Sequence, residues 1–272
     1  MISPVRTLSV VIPAHNEEGS IASTIEAVVS TLEGERIEYE IVVVDDRSAD
    51  GTEAAVRSLM ATNANIVLTS TQGSGGGFGL AIQRGLEVYR GDAVVIVMAD
   101  GSDDPADLVA YHHLLSQGFD CAFGSRFMRG AQVVDYPTGK LVLNRVVNLA
   151  IRALFRHGYN DTTNAFKAYR REVIDALRPL LSHHFNLTVE LPLKAVVRGF
   201  TFGIVPTTWR NRTAGESKLR LEEMGSRYAF IILYVLLEDL LSKGDYRPPT
   251  LRNLSTRQRR REAGRPRIDR GA

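Results

Sequence analysis

Ala93-Val-Val-Ile-Val-Met-Ala-Asp-Gly-Ser-Asp-Asp-Pro105 is a β-branched apolar run that ends in carboxylates. Such a run, bounded by Gly and Asp, reads as a buried parallel strand. In open α/β sheets, ligands bind just outside the carboxyl ends of the strands. Asp100, Asp103 and Asp104 therefore stand where they can hold a hard divalent cation, and that cation can hold a diphosphate. The stretch points to an enzyme acting on a nucleotide-linked substrate.

The flanking sequence repeats the pattern. Leu8–Ile12 reads as a short strand stopped by Pro13, and Gly19–Leu32 as a helix whose Ile21, Ile25, Val28, Val29 and Leu32 share a face. Glu40–Asp45 is a second buried strand, and Asp50 is placed to cap the helix that follows it. Asn65–Leu68 is a third strand, followed by a Gly-rich loop at 73–79 and a helix over Leu80–Arg90. Strands alternating with helices predict an α/β fold with a mostly parallel sheet. After Gly124 the spacing predicts an amphipathic helix over Leu141–Phe155 carrying Arg145 and Arg152, and an irregular or strand-like Asp161–Tyr169. Helices are expected at Arg171–Leu181 and Leu187–Arg198, a strand at Phe200–Thr208, and a largely apolar helix at 221–242.

The 272 residues are 44% hydrophobic and 24% charged, an ordinary globular composition long enough for a sizeable core. We expect one catalytic domain over 1–225, an apolar helical appendage over 226–250 that contacts a membrane or a second copy, and a disordered Arg-rich tail over 251–272. The single cysteine, Cys121, excludes an intramolecular disulfide and reads as a small core residue. Met1–Arg6 runs straight into a strand, so no secretory signal is expected. The longest apolar stretch, Ala229–Leu237, is about half a membrane span. The net charge of +2 hides an asymmetry, because the tail carries eight Arg against Glu262 and Asp269. A basic tail after an apolar helix suits the cytoplasmic face of a membrane, where the protein would be peripheral. The tail has no aromatic residue to stack on bases, and no nucleic-acid partner is expected.

The first strand ends in Pro13-Ala-His-Asn-Glu-Glu18 and the second in Asp45-Asp-Arg-Ser-Ala-Asp-Gly-Thr52. The loop Gly73-Ser-Gly-Gly-Gly-Phe-Gly79 does not fit the G-x-G-x-x-G register of dinucleotide folds, but its backbone can approach a ligand closely. Taken in order, the motifs are Val10-Val-Ile-Pro-x-x-Asn-Glu17, Val42-Val-Val-Asp-Asp-x-Ser48 and Asp50-Gly-Thr52. Gly77-x-Gly-x-Ala81, Ala99-Asp-Gly-Ser-x-Asp-Pro105 and Gly124-Ser-Arg126 follow. Asp161-x-Thr163, Phe166-Lys-x-Tyr-Arg170, Glu190 and Arg212-x-x-Gly-Glu-Ser-Lys218 close the series. This set resembles family 2 glycosyltransferases of the GT-A fold, and within them the dolichol-phosphate mannose synthase group that glycosylates polyprenyl phosphates. The resemblance covers roughly residues 7–220.

The resemblance implies inverting transfer of a hexose from a nucleotide sugar, GDP-mannose first and a UDP-sugar next, to a polyprenyl phosphate. It implies that Pro13, His15, Asn16, Glu17, Asp45, Asp46, Gly77, Gly79 and Ala99 line the nucleotide. Asp100, helped by Ser102, would hold Mg²⁺ or Mn²⁺ on the donor diphosphate. Arg126, Arg145, Arg212 and Lys218 would grip the acceptor phosphate and the departing diphosphate, for which a guanidinium fork is suited.

Two departures stand out. Met98 occupies the first position of the usual Asp-x-Asp, and a thioether is a poor ligand for a hard cation. Asn164-Ala165 replaces the usual Ser-Gly or Gly-Ser. Two rival readings follow. One is a family 2 enzyme using a hydroxyl acceptor, which needs a base such as Asp103, Asp104 or Asp161. The other is a non-catalytic nucleotide-sugar-binding protein, motivated by Met98. The pairs His112-His113 and His183-His184 read as structural, since adjacent helix positions do not face one ligand. Trp209 is expected at the lipid entrance or as a packing anchor.

Overall fold

The computed structural model describes residues 4–73, 75–211 and 221–247, with 221–224 as backbone only. Arg212, Lys218 and the expected tail over 251–272 lie outside the described residues. The elements run in chain order as β1 (Thr7–Ala14), α1 (Ile21–Gly34), β2 (Glu38–Asp45), α2 (Thr52–Met60), β3 (Ile66–Ser70), α3 (Phe78–Val88) and β4 (Ala93–Ile96). Next come α4 (Asp107–Ser116), β5 (Cys121–Ser125), β6 (Gln132–Val134), α5 (Thr138–Phe155), β7 (Lys167–Arg170) and α6 (Arg171–Leu177). The last are α7 (Leu187–Val197), β8 (Phe202–Pro206), β9 (Thr208–Arg210) and α8 (Leu221–Leu241).

Seven strands form one sheet in the order β3-β2-β1-β4-β7-β5-β8, and β6 pairs with β9 in a second, two-stranded sheet. All pairs in the large sheet are parallel except those of β7, which is antiparallel to both β4 and β5. That reversal matters for the site. It sets Lys167 opposite Ile96 and Phe123, so the loop entering β7 arrives at the carboxyl ends of β4 and β5.

The Val/Ile runs are continuous because both sheet faces are covered. Val10, Ile12, Val43 and Val95 pack beneath α1 and α4, against Ile21, Ile25, Leu108 and Leu115. Val11, Val42, Val44, Val94 and Ile96 pack against Ala81, Ile82 and Leu86 of α3 and Leu187 and Leu191 of α7. Strand β1 continues through Pro13 to Ala14, beyond the expected stop, because proline lacks only the donor. The carbonyls of Val11 and Ala14 still accept from Val97 at 3.0 Å and Asp46 at 2.7 Å. Cys121 is buried in β5, and burial pushes its thiol well up, leaving it unreactive.

A third cluster joins Ile151 and Phe155 of α5, Val189, Leu193 and Val197 of α7, and Ile231 and Val235 of α8. Arg198 and Glu238 clip α8 to α7 through bonds of 2.7 and 2.9 Å. The outer faces stay apolar, with Val142, Val146 and Leu149 exposed on α5 and Phe230, Leu233, Leu237, Leu240 and Leu241 on α8. No helix among the described residues is long and apolar enough to cross a membrane.

Candidate active site

The ends of β1 and β2 are zipped together by side chains. His15 Nδ1 lies 2.6 Å from the Asp46 carbonyl, and the Asn16 amide donates to Ser48 Oγ at 2.9 Å. Asn16 Oδ1 accepts from the Ala49 amide at 2.7 Å, and Asn16 adopts a left-handed φ of +53°. An Asn side chain tolerates that region and bonds locally. The Glu17 amide donates to Thr52 Oγ1, whose hydroxyl is itself oriented by Asp50. Desolvation pushes the Asp50 carboxyl up, but the Thr52 hydroxyl, followed by the Thr52 and Glu18 amides that it also accepts from, holds it below the usual range. The result is a fixed shelf carrying Pro13, His15, Asn16, Glu17 and Asp45.

The Gly-rich loop is hung on the same shelf. Asp46 accepts from Thr71 Oγ1 at 2.9 Å and from the Gly77 amide at 2.7 Å. Gly77 has φ +151°, and a Cβ there would lie 2.6 Å from the His183 carbonyl oxygen. A Cβ on Gly79 would lie 2.5 Å from the Ser182 carbonyl oxygen. These two glycines are needed for close packing against residues 182–184, a reason the sequence pattern does not reveal.

Beyond β4 the chain turns through Gly101 at φ +68°. Asp100 Oδ1 accepts from the Ser102 amide at 3.1 Å, and the Ala99 carbonyl is held by Thr24 Oγ1. Asp100 is 9% exposed and Ser102 3%. Asp103 folds back so that its carboxylate accepts from the Met98 amide at 3.1 Å. Burial pushes Asp103 up to about 7, and the neighbouring Asp100 charge adds to the rise. Among the described residues no group of three or more His, Cys, Asp or Glu is placed to cage a metal. The donor set here is one carboxylate and one hydroxyl, with Met98 contributing nothing to a hard ion. It suits a Mg²⁺- or Mn²⁺-like cation that takes most of its oxygens from a diphosphate and water, not an all-protein site.

The second half of the site sits across the sheet. Arg126, just past β5, donates Nε and Nη2 to the two carboxylate oxygens of Asp161 at 2.9 and 2.8 Å, and its amide donates to the same carboxylate. The side chains are 9% and 0% exposed. Burial opposes the guanidinium charge, and the Asp161 carboxylate outweighs it and raises its pKa. Arg126 was expected to grip phosphate; its fork is already taken by Asp161. Arg145 is exposed on α5, and both guanidinium groups flank the Phe127 ring, at 5.0 Å for Arg145 and 5.3 Å for Arg126. Arg145 lines a cleft of about 240 Å³ with Arg152, Asn148, Asn160, Phe127 and Leu149. The structure thus brings Arg126 and Arg145 together on one side and the shelf at the ends of β1 and β2 on the other. Trp209 links the halves: it bridges to Asp103 in backbone pairing and packs 4.7 Å from Tyr136, whose ring lies 5.8 Å from Arg126.

Several residues the motif reading passed over complete the network. Asn148 donates to Thr163 Oγ1 at 2.9 Å and accepts from the Thr163 amide, fixing the Asp161–Thr163 turn to α5. Its signal was available, because Asn148 shares the buried stripe of Ile151 and Phe155. Asn164, the departure from the usual pair, donates to the Gly124 carbonyl at 3.0 Å and accepts from the Phe166 amide. Of the His pairs, His112-His113 lies on α4, whereas His183-His184 precedes α7 outside any helix. His112 meets the Val5 carbonyl, and His183 gives its carbonyl to the Leu80 amide.

Lys167 is fully buried. Its ammonium donates to the Thr162 and Thr188 carbonyls at 3.0 and 3.3 Å. Burial pulls its pKa from 10.5 down to about 7, against the opposing pull of Asp161. Between about pH 7 and 10.5 the unfolded chain therefore holds a proton here that the folded chain does not. The resulting penalty is absent above 10.5 and complete below 7, so stability from this group rises with pH. Lys167→Met removes the term. We expect the wild type to gain on Lys167→Met by up to about 1.4 kcal/mol per pH unit between pH 7 and 9.5. Denaturant unfolding at four pH values measures this, and a pH-independent difference refutes it.

The profile of glycosyl transferase family 2 matches residues 9–178. The polyprenol monophosphomannose synthase of Mycolicibacterium smegmatis is 32% identical over 223 residues, 80% of this chain and 83% of that protein. The dolichol-phosphate mannosyltransferase of Pyrococcus furiosus is 30% identical over 227 residues, 78% of this chain but only 59% of that protein. Glucosyl-3-phosphoglycerate synthase from Mycobacterium tuberculosis, solved with Mn²⁺, UDP and glucosyl-3-phosphoglycerate, superposes with a TM-score of 0.62 at 20% identity. That superposition covers 86% of this chain and 80% of the other, and it bears out the GT-A architecture. With the profile spanning more than half of its length and a relative above 30% identity over most of it, the chain belongs to glycosyl transferase family 2.

Proposed function

We propose that this protein transfers a hexose, mannose from GDP-mannose in the first instance, to a polyprenyl phosphate with inversion. The observation that carries the reading is 32% identity to a polyprenol monophosphomannose synthase along most of both chains. The geometry supports it. The base and ribose would rest on the shelf of Asn16, Glu17, Asp45 and Asp46, and the diphosphate would reach Asp100 and Ser102. A bound divalent cation would supply charge neutralisation on the leaving diphosphate, and its use by this chain is part of the proposal.

A lipid phosphate is already largely ionised near neutral pH, with a second pKa of about 6. It needs positioning more than deprotonation. One of its oxygens would form the new bond to the anomeric carbon as the bond to the nucleoside diphosphate breaks on the opposite face. Arg145 and Arg152, exposed on a helix with no acidic residue, would steer that anion, with Arg212 and Lys218 joining from outside the described residues. Of the three carboxylates the hydroxyl-acceptor alternative could use as a base, Asp161 is committed to Arg126, Asp103 is buried and accepts from the Met98 amide, and Asp104 accepts from the Ala106 amide. The exposed apolar faces of α5 and α8 fit a peripheral position on the cytoplasmic face of a membrane, where a polyprenyl phosphate resides.

A radiolabelled transfer assay tests the reading, pairing GDP- and UDP-sugars with polyprenyl phosphate and Mg²⁺, Mn²⁺ or chelator. We expect label in the lipid phase from one donor, lost with chelator. Transfer to a glycan or another hydroxyl acceptor with none to lipid would overturn it.

A further inference from the structure

Glu190 is fully buried in the first turn of α7, and so is Lys194 one turn on. The two side chains meet at 2.6 Å. Their remaining bonds all go to one stretch of backbone. Glu190 accepts from the Leu181 amide at 2.9 and 3.1 Å and from the Ser182 amide at 2.8 Å. Lys194 donates to the Pro179 carbonyl at 2.6 Å and the Leu177 carbonyl at 3.5 Å. A buried ion pair adds little net stability over apolar side chains of the same size. What this one adds is position, because it fixes residues 177–182 from the α7 side.

The opposite side of that stretch is the floor of the Gly-rich loop. The Ser182 carbonyl accepts from Gln83 Nε2 at 2.8 Å, and the His183 carbonyl from the Leu80 amide at 3.2 Å. Phe185 stacks on Phe78 with ring centroids 4.2 Å apart. Gly77 and Gly79 have no room for a Cβ against residues 182–184. Gly77 in turn donates to Asp46 on the nucleotide shelf. A continuous set of short contacts thus runs from Glu190 through 181–183 and the start of α3 to Asp46.

We propose that Glu190 and Lys194 are positioning residues for the nucleotide donor, setting the height of the Gly77–Leu80 backbone and with it the Asp46 carboxylate. The proposal rests on the donor-site reading above. It separates these two residues from any part in acceptor binding or chemistry.

The test uses the full chain with two variants. E190Q/K194M removes both buried charges together and so leaves neither unpaired. Q83L removes a single strut from the far side of the same stretch, at a half-buried position. Three quantities are measured: hydrogen exchange at amides 76–80 without ligand, affinity for UDP and GDP by calorimetry, and half-saturation by polyprenyl phosphate. In E190Q/K194M we expect at least fivefold faster exchange at 76–80 and at least tenfold weaker binding of the nucleotide the wild type takes. Half-saturation by the lipid phosphate stays within twofold. Q83L shows the same split, with nucleotide affinity about threefold weaker. Wild-type exchange at 76–80 and wild-type nucleotide affinity in both variants overturn the proposal. Should the wild type bind neither UDP nor GDP, the donor reading itself fails, and the exchange measurement still decides whether Glu190 holds the loop.

Discussion

Asp161→Asn is expected to be among the most destabilising single substitutions in the chain, costing about 3–5 kcal/mol. The side chain keeps its shape but loses its charge, and the Arg126 guanidinium stays buried with no carboxylate. At about 2–4 °C per kcal/mol for a protein of this size, the midpoint should fall by roughly 6–20 °C. Replacing the pair together, as in Arg126→Met with Asp161→Leu, should restore much of the loss, because no charge is then stranded. Transfer activity should not return with it. The Asp161–Thr163 turn anchors α5 through Asn148, and the Gly124–Arg126 segment leans on the same carboxylate. Thermal melts paired with transfer rates test both parts. An Asp161→Asn melt within 2 °C of wild type would remove the structural assignment of this pair.

That pair also shows where reading the sequence stops. The β-branched runs at 8–12, 40–45 and 93–98 placed three of the sheet's strands, because a strand buried on both faces must be apolar throughout. The strand ends then placed Asn16, Asp45 and Asp100 on one rim. Strand β5, helix α4 and the direction of β7 were not legible. Cys121–Ser125 is short and contains Gly124, and β7 carries Lys167 and Arg170 where apolar residues are expected. Their heads are satisfied by the carbonyls of Leu115 in α4, Thr188 in α7, and Phe119 and Thr162 in loops, which no local pattern reports. The roles of single charges were the least legible of all. Arg126 and Arg145 are alike as letters. One is locked to Asp161, whereas the other is exposed at the mouth of a cleft, and only the path of the chain through Asp161 separates them.

With Asp100 holding the cation on the donor diphosphate as proposed, Asp100→Asn should cut the rate of transfer by about 10²–10³, the scale of losing one preorganised group that stabilises the developing charge. The fold should survive, and for a specific reason. Asn keeps the acceptor for the Ser102 amide, and it removes a negative charge that crowds Asp103. The melting midpoint is therefore expected at or slightly above the wild-type value, the opposite of the Asp161 result. Binding should show the same logic. Wild-type affinity for the donor nucleotide should rise when Mn²⁺ is added, and the Asp100→Asn protein should lose most of that gain while keeping its metal-free affinity. In the proposed donor site Asp100 would meet the diphosphate, and Met98 leaves no acid at the first position of the motif to share that task. Restoring that acid by Met98→Asp gives the converse test: tighter metal-dependent binding in an otherwise native background, and partial rescue in the Asp100→Asn protein. An Asp100→Asn enzyme that keeps more than a tenth of wild-type transfer would place the chemistry elsewhere on the rim.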